Sequence, residues 1–228
     1  MVEIQKNYQI GVRRFGYVNY IGMWSLYKKE VLRFLNVIGQ TILGPIITSA
    51  LFLLVISLAI GDSRSDVLGV PYISFLFPGL IAMQVIGQAF SHSSSSLLMG
   101  KVMGNIVDTI SAPLSAVEVT FAIVLASVTR SLIIAFVSVI LFSLWLEINF
   151  QNFFFIIIYL FLSSFILGAC GFITGLWAEK FDHMSSVTNF FIVPLSFLSG
   201  TFYSVDRLPH FLQLISEYNP FFYMIDGF

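Results

Sequence analysis

The sequence predicts an all-α polytopic membrane protein from three observations: a shortage of charge, long uncharged runs, and a lopsided placement of Lys and Arg. Of 228 residues, 57% are hydrophobic and only 10% charged, where a soluble domain carries about a quarter. So few charges could not clothe a soluble fold of this length, whereas lipid accepts apolar side chains, and Phe alone supplies 25 residues. A net charge of −1 offers no basic field for nucleic acid. The one cysteine, Cys170, excludes an intrachain disulfide and reads as a small buried hydrophobe.

The first eighteen residues hold Glu3, Lys6, Asn7, Arg13 and Arg14 and no apolar core, so insertion is expected to begin at the first span. From Asn19 to Asn36, Trp24, Tyr27, Val31 and Phe34 recur at helical spacing, with Ser25, Lys28, Lys29 and Arg33 on another face. That pattern predicts an amphipathic helix lying along the headgroups. About 20 apolar residues cross roughly 30 Å of hydrocarbon. The runs that qualify are Val37–Ile60, Pro71–Ser91, about Val117–Leu144, Phe153–Ala178 and Met184–Tyr203, all within residues 37–203. Uninterrupted apolar runs fit helices and not the alternating strands of a barrel. A further short amphipathic segment, Leu208–Tyr218, presents Leu208, Phe211, Leu212 and Ile215 on one face and reads as a surface or re-entrant helix. Residues 1–228 thus form one membrane domain, with 1–36 as tail and first helix and 204–228 as the outer segment.

Orientation follows the positive charges. Lys6, Arg13, Arg14, Lys28, Lys29, Arg33, Lys101 and Lys180 fall on one side; only Arg64 and Arg207 fall on the other, with Asp62, Asp66, Glu147, Asp206, Glu217 and Asp226. This places the N-terminus in the cytoplasm.

Between the second and third spans, His92 to Ala116 carries Met99, Val102, Met103, Ile106, Val107 and Ile110, which an aqueous loop would not usually hold. A short helix pressed on the membrane or on a partner fits, with Pro113 breaking it. Gly100-Lys101 is no phosphate-binding loop, since no glycine stands five residues before Gly100 and Val102 replaces the required Ser or Thr. Arg130, near the middle of the third span, should face the protein interior, as a coupling residue or in a structural ion pair. Glu118 lies about three turns away on the same helix and cannot reach it. Gly168, Gly171 and Gly175 form a small-residue stripe, a packing surface between helices or a dimer face. Pro45, Pro78 and Pro194 each bend a span. Ser91 to Ser96 reads as a polar helix end. His92, His183 and His210 lie in separate segments, so neither a metal site nor a catalytic residue is expected.

Two stretches carry a resemblance. Ser199-Gly-Thr-Phe-Tyr-Ser-Val-Asp-Arg-Leu-Pro209, then Asn219-Pro-Phe-Phe-Tyr-Met-Ile-Asp-Gly-Phe228, resembles the signature of the type-2 permease subunits of ABC exporters. Gly200, Asp206, Pro209, Asn219 and Pro220 are its marked positions. Gly100–Ser115 resembles that family's coupling segment, and Trp24–Arg33 with Gln40–Pro45 its connecting helix and first span. The resemblance implies a six-span permease, of which five spans are visible here. It pairs with a second copy and with a separate ABC ATPase subunit, which holds ATP and Mg. It implies contact with that subunit through Lys101, Gly104, Asn105 and Asp108 and through Lys28, Lys29, Glu30 and Arg33. Gly-Lys-Val-Met-Gly-Asn replaces the more acidic coupling segment of many relatives. The function implied is the export of a lipid-like, polysaccharide or drug-like substrate across a bacterial inner membrane, with no enzyme activity in this chain. The rival reading is a membrane-embedded lipid-modifying enzyme or assembly factor. An ion-coupled transporter is disfavoured because no acidic residue lies mid-span.

Overall fold

The computed structural model describes residues 18–60, 70–144, 152–203, 205 and 208–226. Lys6, Arg13, Arg14, Asp62, Arg64, Asp66, Glu147, Asp206 and Arg207 lie outside them. In chain order the helices are α1 (Tyr20–Leu35), a π turn (Gly39–Leu43) running into α2 (Gly44–Ile60), α3 (Tyr72–Val102), α4 (Ile106–Ser111), α5 (Ala116–Ser143) and α6 (Phe153–Trp177). Next come α7 (Phe181–Val187), a second π turn (Thr188–Ile192) running into α8 (Val193–Phe197), α9 (His210–Glu217) and α10 (Pro220–Asp226). Among the described residues, four helical stretches are long and apolar enough to cross a membrane: Gly39–Ala59, Tyr72–Val102, Ala116–Ser143 and Phe154–Trp177. The helix running from 181 to 197 falls just short, at about 25 Å by helical rise.

α3, α5 and α6 pack together as the centre of the bundle. Leu76, Leu80, Ile81 and Val85 meet Phe142, Ala135 and Leu160 in one buried cluster. Leu97, Ile123, Val124 and Phe172 make another. α2 lies at the edge and turns much of its surface outward: Ile47, Leu51, Phe52, Val55 and Leu58 are all exposed, as lipid-facing side chains are free to be.

Several expectations change. The second span does not stop at Ser91, because α3 continues for 31 residues to Val102. The serine run therefore lies inside the helix and not at its end. Ser94 Oγ donates to the Phe90 carbonyl at 2.8 Å and Ser95 Oγ to the His92 carbonyl at 3.1 Å, so these two hydroxyls are absorbed by the helix itself. Helix 181–197 ends before Tyr203, where Gly200 takes a φ of +83° and turns the chain. Cys170 is exposed, on the outward face of α6. The buried face of α1 is Leu26, Glu30 and Phe34, and Trp24 stays outside, stacked on Tyr27. α1 also runs alongside α5 in the same direction: Asn19 meets Glu118, Tyr27 meets Thr129, and Phe34 shares a cluster with Ile134.

Candidate functional site

The loop-bearing end of the bundle, where α1, α4 and the N-terminus of α5 meet, gathers most of the polar residues singled out in the sequence. α3 ends at Val102, and Gly104, at φ +77°, reverses the chain into α4. That left-handed conformation costs other residues about 1–2 kcal/mol. Asn105 precedes the first turn of α4 and Asp108 lies within it, both exposed. Val102, Met103, Val107 and Ile110 project from the same tip and are 55–74% exposed. A cleft of about 410 Å³ separates α4 from the first turns of α1, lined by Ile21, Ser25, Lys29, Asp108, Thr109 and Pro113 among others. Lys28 and Lys29 are exposed beside it.

Two residues expected at this surface are turned inward. Lys101 Nζ donates to the carbonyls of Leu176 and, at 3.1 Å, Ala178, so it caps the C-terminus of α6. Glu30 is 4% exposed. Its Oε2 accepts from Ser96 Oγ at 2.7 Å and Arg33 Nε at 3.0 Å, and stands 3.9 Å from His92 Nε2. Glu118 is placed at the third position of α5, where it closes a capping box with Ser115 (Ser115 N to Glu118 Oε2, 2.6 Å). Its other oxygen accepts from the backbone N–H of Asn19 at 2.5 Å, and Asn19 Nδ2 donates to the Pro113 carbonyl at 3.1 Å. Asn19 Oδ1 in turn caps α1 through Gly22 N at 2.9 Å. Asn19 and Glu118 thus fasten the start of α1 to the end of the α4 segment, a role no spacing in the sequence announces.

Arg130 faces the interior, as its cost in an apolar run requires, but its partners are not carboxylates. Nη2 donates to Gln88 Oε1 at 2.5 Å and to the Thr41 carbonyl at 3.2 Å. It therefore ties α5 to α3 and to the π turn at the head of α2. Gln88, His92 and Ser96, spaced by four on α3, form the polar stripe that faces this seam. Their spacing was the available signal.

At the far end of helix 181–197 the chain folds back. Pro209 precedes α9, and Ser216 Oγ donates to Leu198 at 3.0 Å. Asn219 is buried: its Nδ2 donates to Leu195 at 2.7 Å, and its Oδ1 accepts from Phe221 N at 3.0 Å. Pro220 opens α10, a position that needs no N–H. Phe221 then enters a cluster with Ile86, Phe90, Leu167 and Ile192. The turn of this hairpin is thus packed against the middle of α3.

This architecture accompanies a family match. The model of the ABC-2 type transporter family matches residues 22–228. The chain belongs to the ABC-2 type transporter family. It is 32% identical over 209 residues to the inner membrane transport permease YadH of Escherichia coli K12, covering 92% of this chain and 82% of that protein. YadH of E. coli O157:H7 and of Shigella flexneri match to the same extent.

The glycine stripe lies inside the chain's own helix bundle. A Cβ at Gly175 would stand 2.8 Å from the Ser94 carbonyl, Gly171 sits against the Phe90 carbonyl, and Gly168 against Ser127 Oγ. The stripe lets α6 approach α3 and α5 at backbone distance. Among the described residues, no three His, Cys, Asp or Glu side chains are grouped to hold a metal ion.

Proposed function

We propose that this chain is the membrane subunit of an ATP-driven exporter in a bacterial inner membrane, with ATP and Mg held by a separate ABC ATPase subunit. The observation that carries this reading is the apolar tip of α4 beside the α1 cleft. Four large side chains exposed at 55–74%, flanked by Asp108, Lys28 and Lys29, suit a helical or grooved protein partner better than water. The charge asymmetry puts that tip in the cytoplasm, where the ATPase would be. ATP binding would close two ATPase domains and move α4 and α1, shifting the membrane helices between inward-open and outward-open forms.

In this reading the chain crosses the membrane five times, with helix 181–197 as the fifth crossing, and works as one of two copies. The pathway between copies would be bordered by α2 and helix 181–197, whose exposed Phe52, Phe190, Phe191 and Phe197 offer aromatic walls. Such walls suit a lipid, a lipid-linked glycan or an amphipathic drug better than a small ion.

The test is co-expression with candidate ATPase subunits. An ATPase should co-purify and hydrolyse ATP faster with the chain than without it. Gly104→Arg and Asp108→Lys should each cut that stimulation about tenfold, equivalent to about 1.4 kcal/mol, while the permease remains folded. If no ATPase binds, or if both variants stimulate as well as the parent, the reading fails.

A further inference from the structure

An amphipathic helix has no need to bury a carboxylate, and the two helical neighbours of Glu30 on the buried face, Leu26 and Phe34, are apolar. Yet Glu30 is 4% exposed and meets Ser96 at 2.7 Å, Arg33 at 3.0 Å and His92 at 3.9 Å. Arg33 lies on α1 itself, so the contact across to α3 is the hydrogen bond from Ser96 Oγ, with His92 close by, and any slip of α1 along α3 leaves a buried carboxylate without that donor. The remaining ties of α1 point the same way: Tyr27 Oη and Thr129 Oγ1 are 2.8 Å apart, and Asn19 N reaches Glu118 at 2.5 Å. α1 leads into the first span through Asn36–Ile38 and the π turn Gly39–Leu43; Phe34 packs with Ile42 and Ile46 and its carbonyl accepts from Thr41 Oγ1 at 2.7 Å, while nothing stands within 4 Å of a Cβ built on Gly39. π turns inside helices occur frequently at functional sites.

We propose that Glu30 is the positioning residue that locks α1 to α3 as one rigid body, so that a push on α1 is delivered to the second and third spans and not to the first. The π turn at Gly39–Leu43 takes up the difference. The delivery of a push rests on the exporter reading; the lock itself does not.

The experiment measures spin-label distances in the full chain, in liposomes, on a Cys170→Ser background because the native thiol is exposed. Labels go on exposed positions: Leu32 on α1, Ile173 on α6, Phe121 on α5 and Ile47 on α2. In the permease alone, Glu30→Ala should broaden the 32–173 distribution about twofold, while 121–173, inside the central bundle, stays narrow. Glu30→Gln keeps an acceptor for Ser96 and should restore the narrow 32–173 distance. An unbroadened 32–173 in Glu30→Ala, or equal broadening of 121–173, overturns the lock. In the complex with its ATPase, adding ATP and vanadate should move 32–47 and leave 32–173 fixed. The opposite pattern overturns the route. Failure of any ATPase to assemble counts against the exporter reading alone, because the first arm decides the lock without it.

Discussion

Thr41 lies in the π turn, where Gly44 N–H reaches back five residues to the Gly39 carbonyl, and Pro45 next to it supplies no N–H, so the turn has fewer helical donors than carbonyls. Arg130, on a different helix, donates to the Thr41 carbonyl at 3.2 Å and to Gln88 at 2.5 Å. One guanidinium thus satisfies a carbonyl of that turn and the part-buried side-chain amide of Gln88. Arg130→Met should lower stability by about 1–3 kcal/mol, since it leaves both part-buried acceptors without this donor. The partnership with Pro45 is open to a double-mutant cycle. Pro45→Ala returns an N–H to this turn, so Arg130→Met should cost less on that background, with a coupling of about 1 kcal/mol. Thermal unfolding of the four proteins in detergent measures it, and strict additivity would break the link between the two residues. That Arg130 faces inward was legible in the sequence from its cost in an apolar run. Its partners were not, because Thr41 and Gln88 are uncharged residues 89 and 42 positions away. Glu30 was illegible for a different reason. It stands beside Lys28 and Lys29 and reads as part of a solvated run, although the four-residue spacing from Leu26 and to Phe34 marks it as inward-facing.

The helices themselves were mostly legible, because an uncharged run of span length admits few alternatives in a bilayer. Where their ends fall was less so. α3 and α5 are 31 and 28 residues long, about 46 and 42 Å, and both exceed a hydrocarbon thickness of about 30 Å. The excess explains why Arg130, midway along α5, stands level with Thr41 at the very start of the first span. The middle of a helix is not the middle of a membrane when the helix overshoots. The serines in α3 read as a helix end because polar runs usually end spans, and only the hydroxyl-to-carbonyl bonds within the helix reveal otherwise. The same overshoot gives α1 a wall to run along, anchored at its start by Asn19 and Glu118. Glu118→Ala removes the capping box and the acceptor for Asn19 N together. It should cost about 0.5–2 kcal/mol, confined to the two helix starts. Hydrogen exchange should therefore quicken at residues 19–23 and 115–119 and stay unchanged in the middle of α5. Uniform loss of protection along α5 would show that Glu118 supports the whole bundle and not its end.

At the scale of the molecule, the number of crossings turns on helix 181–197. By length it spans only about 25 Å, a few ångströms short of the hydrocarbon. The chain past its end is nevertheless held inside the bundle: Thr201 packs on Gly79, where a Cβ would stand 2.9 Å from the Thr201 carbonyl, and Tyr72 Oη donates to Phe202 at 3.1 Å. Tyr72 opens α3 at the end opposite α4, so helix 181–197 delivers the chain to that far end. Its shortness is made up by the folded-back hairpin, whose own buried polar groups are satisfied by Leu195 and Leu198. The parity of crossings can be read with two single cysteines on a Cys170→Ser background: Ser111→Cys at the end of α4 and His210→Cys at the start of α9, both exposed. Between them lie α5, α6 and helix 181–197. Three crossings put the two cysteines on opposite faces, so a membrane-impermeant maleimide applied to intact cells should label His210→Cys and spare Ser111→Cys until the membrane is opened. If helix 181–197 enters and returns without crossing, only two crossings separate them, and both cysteines should react from the same side.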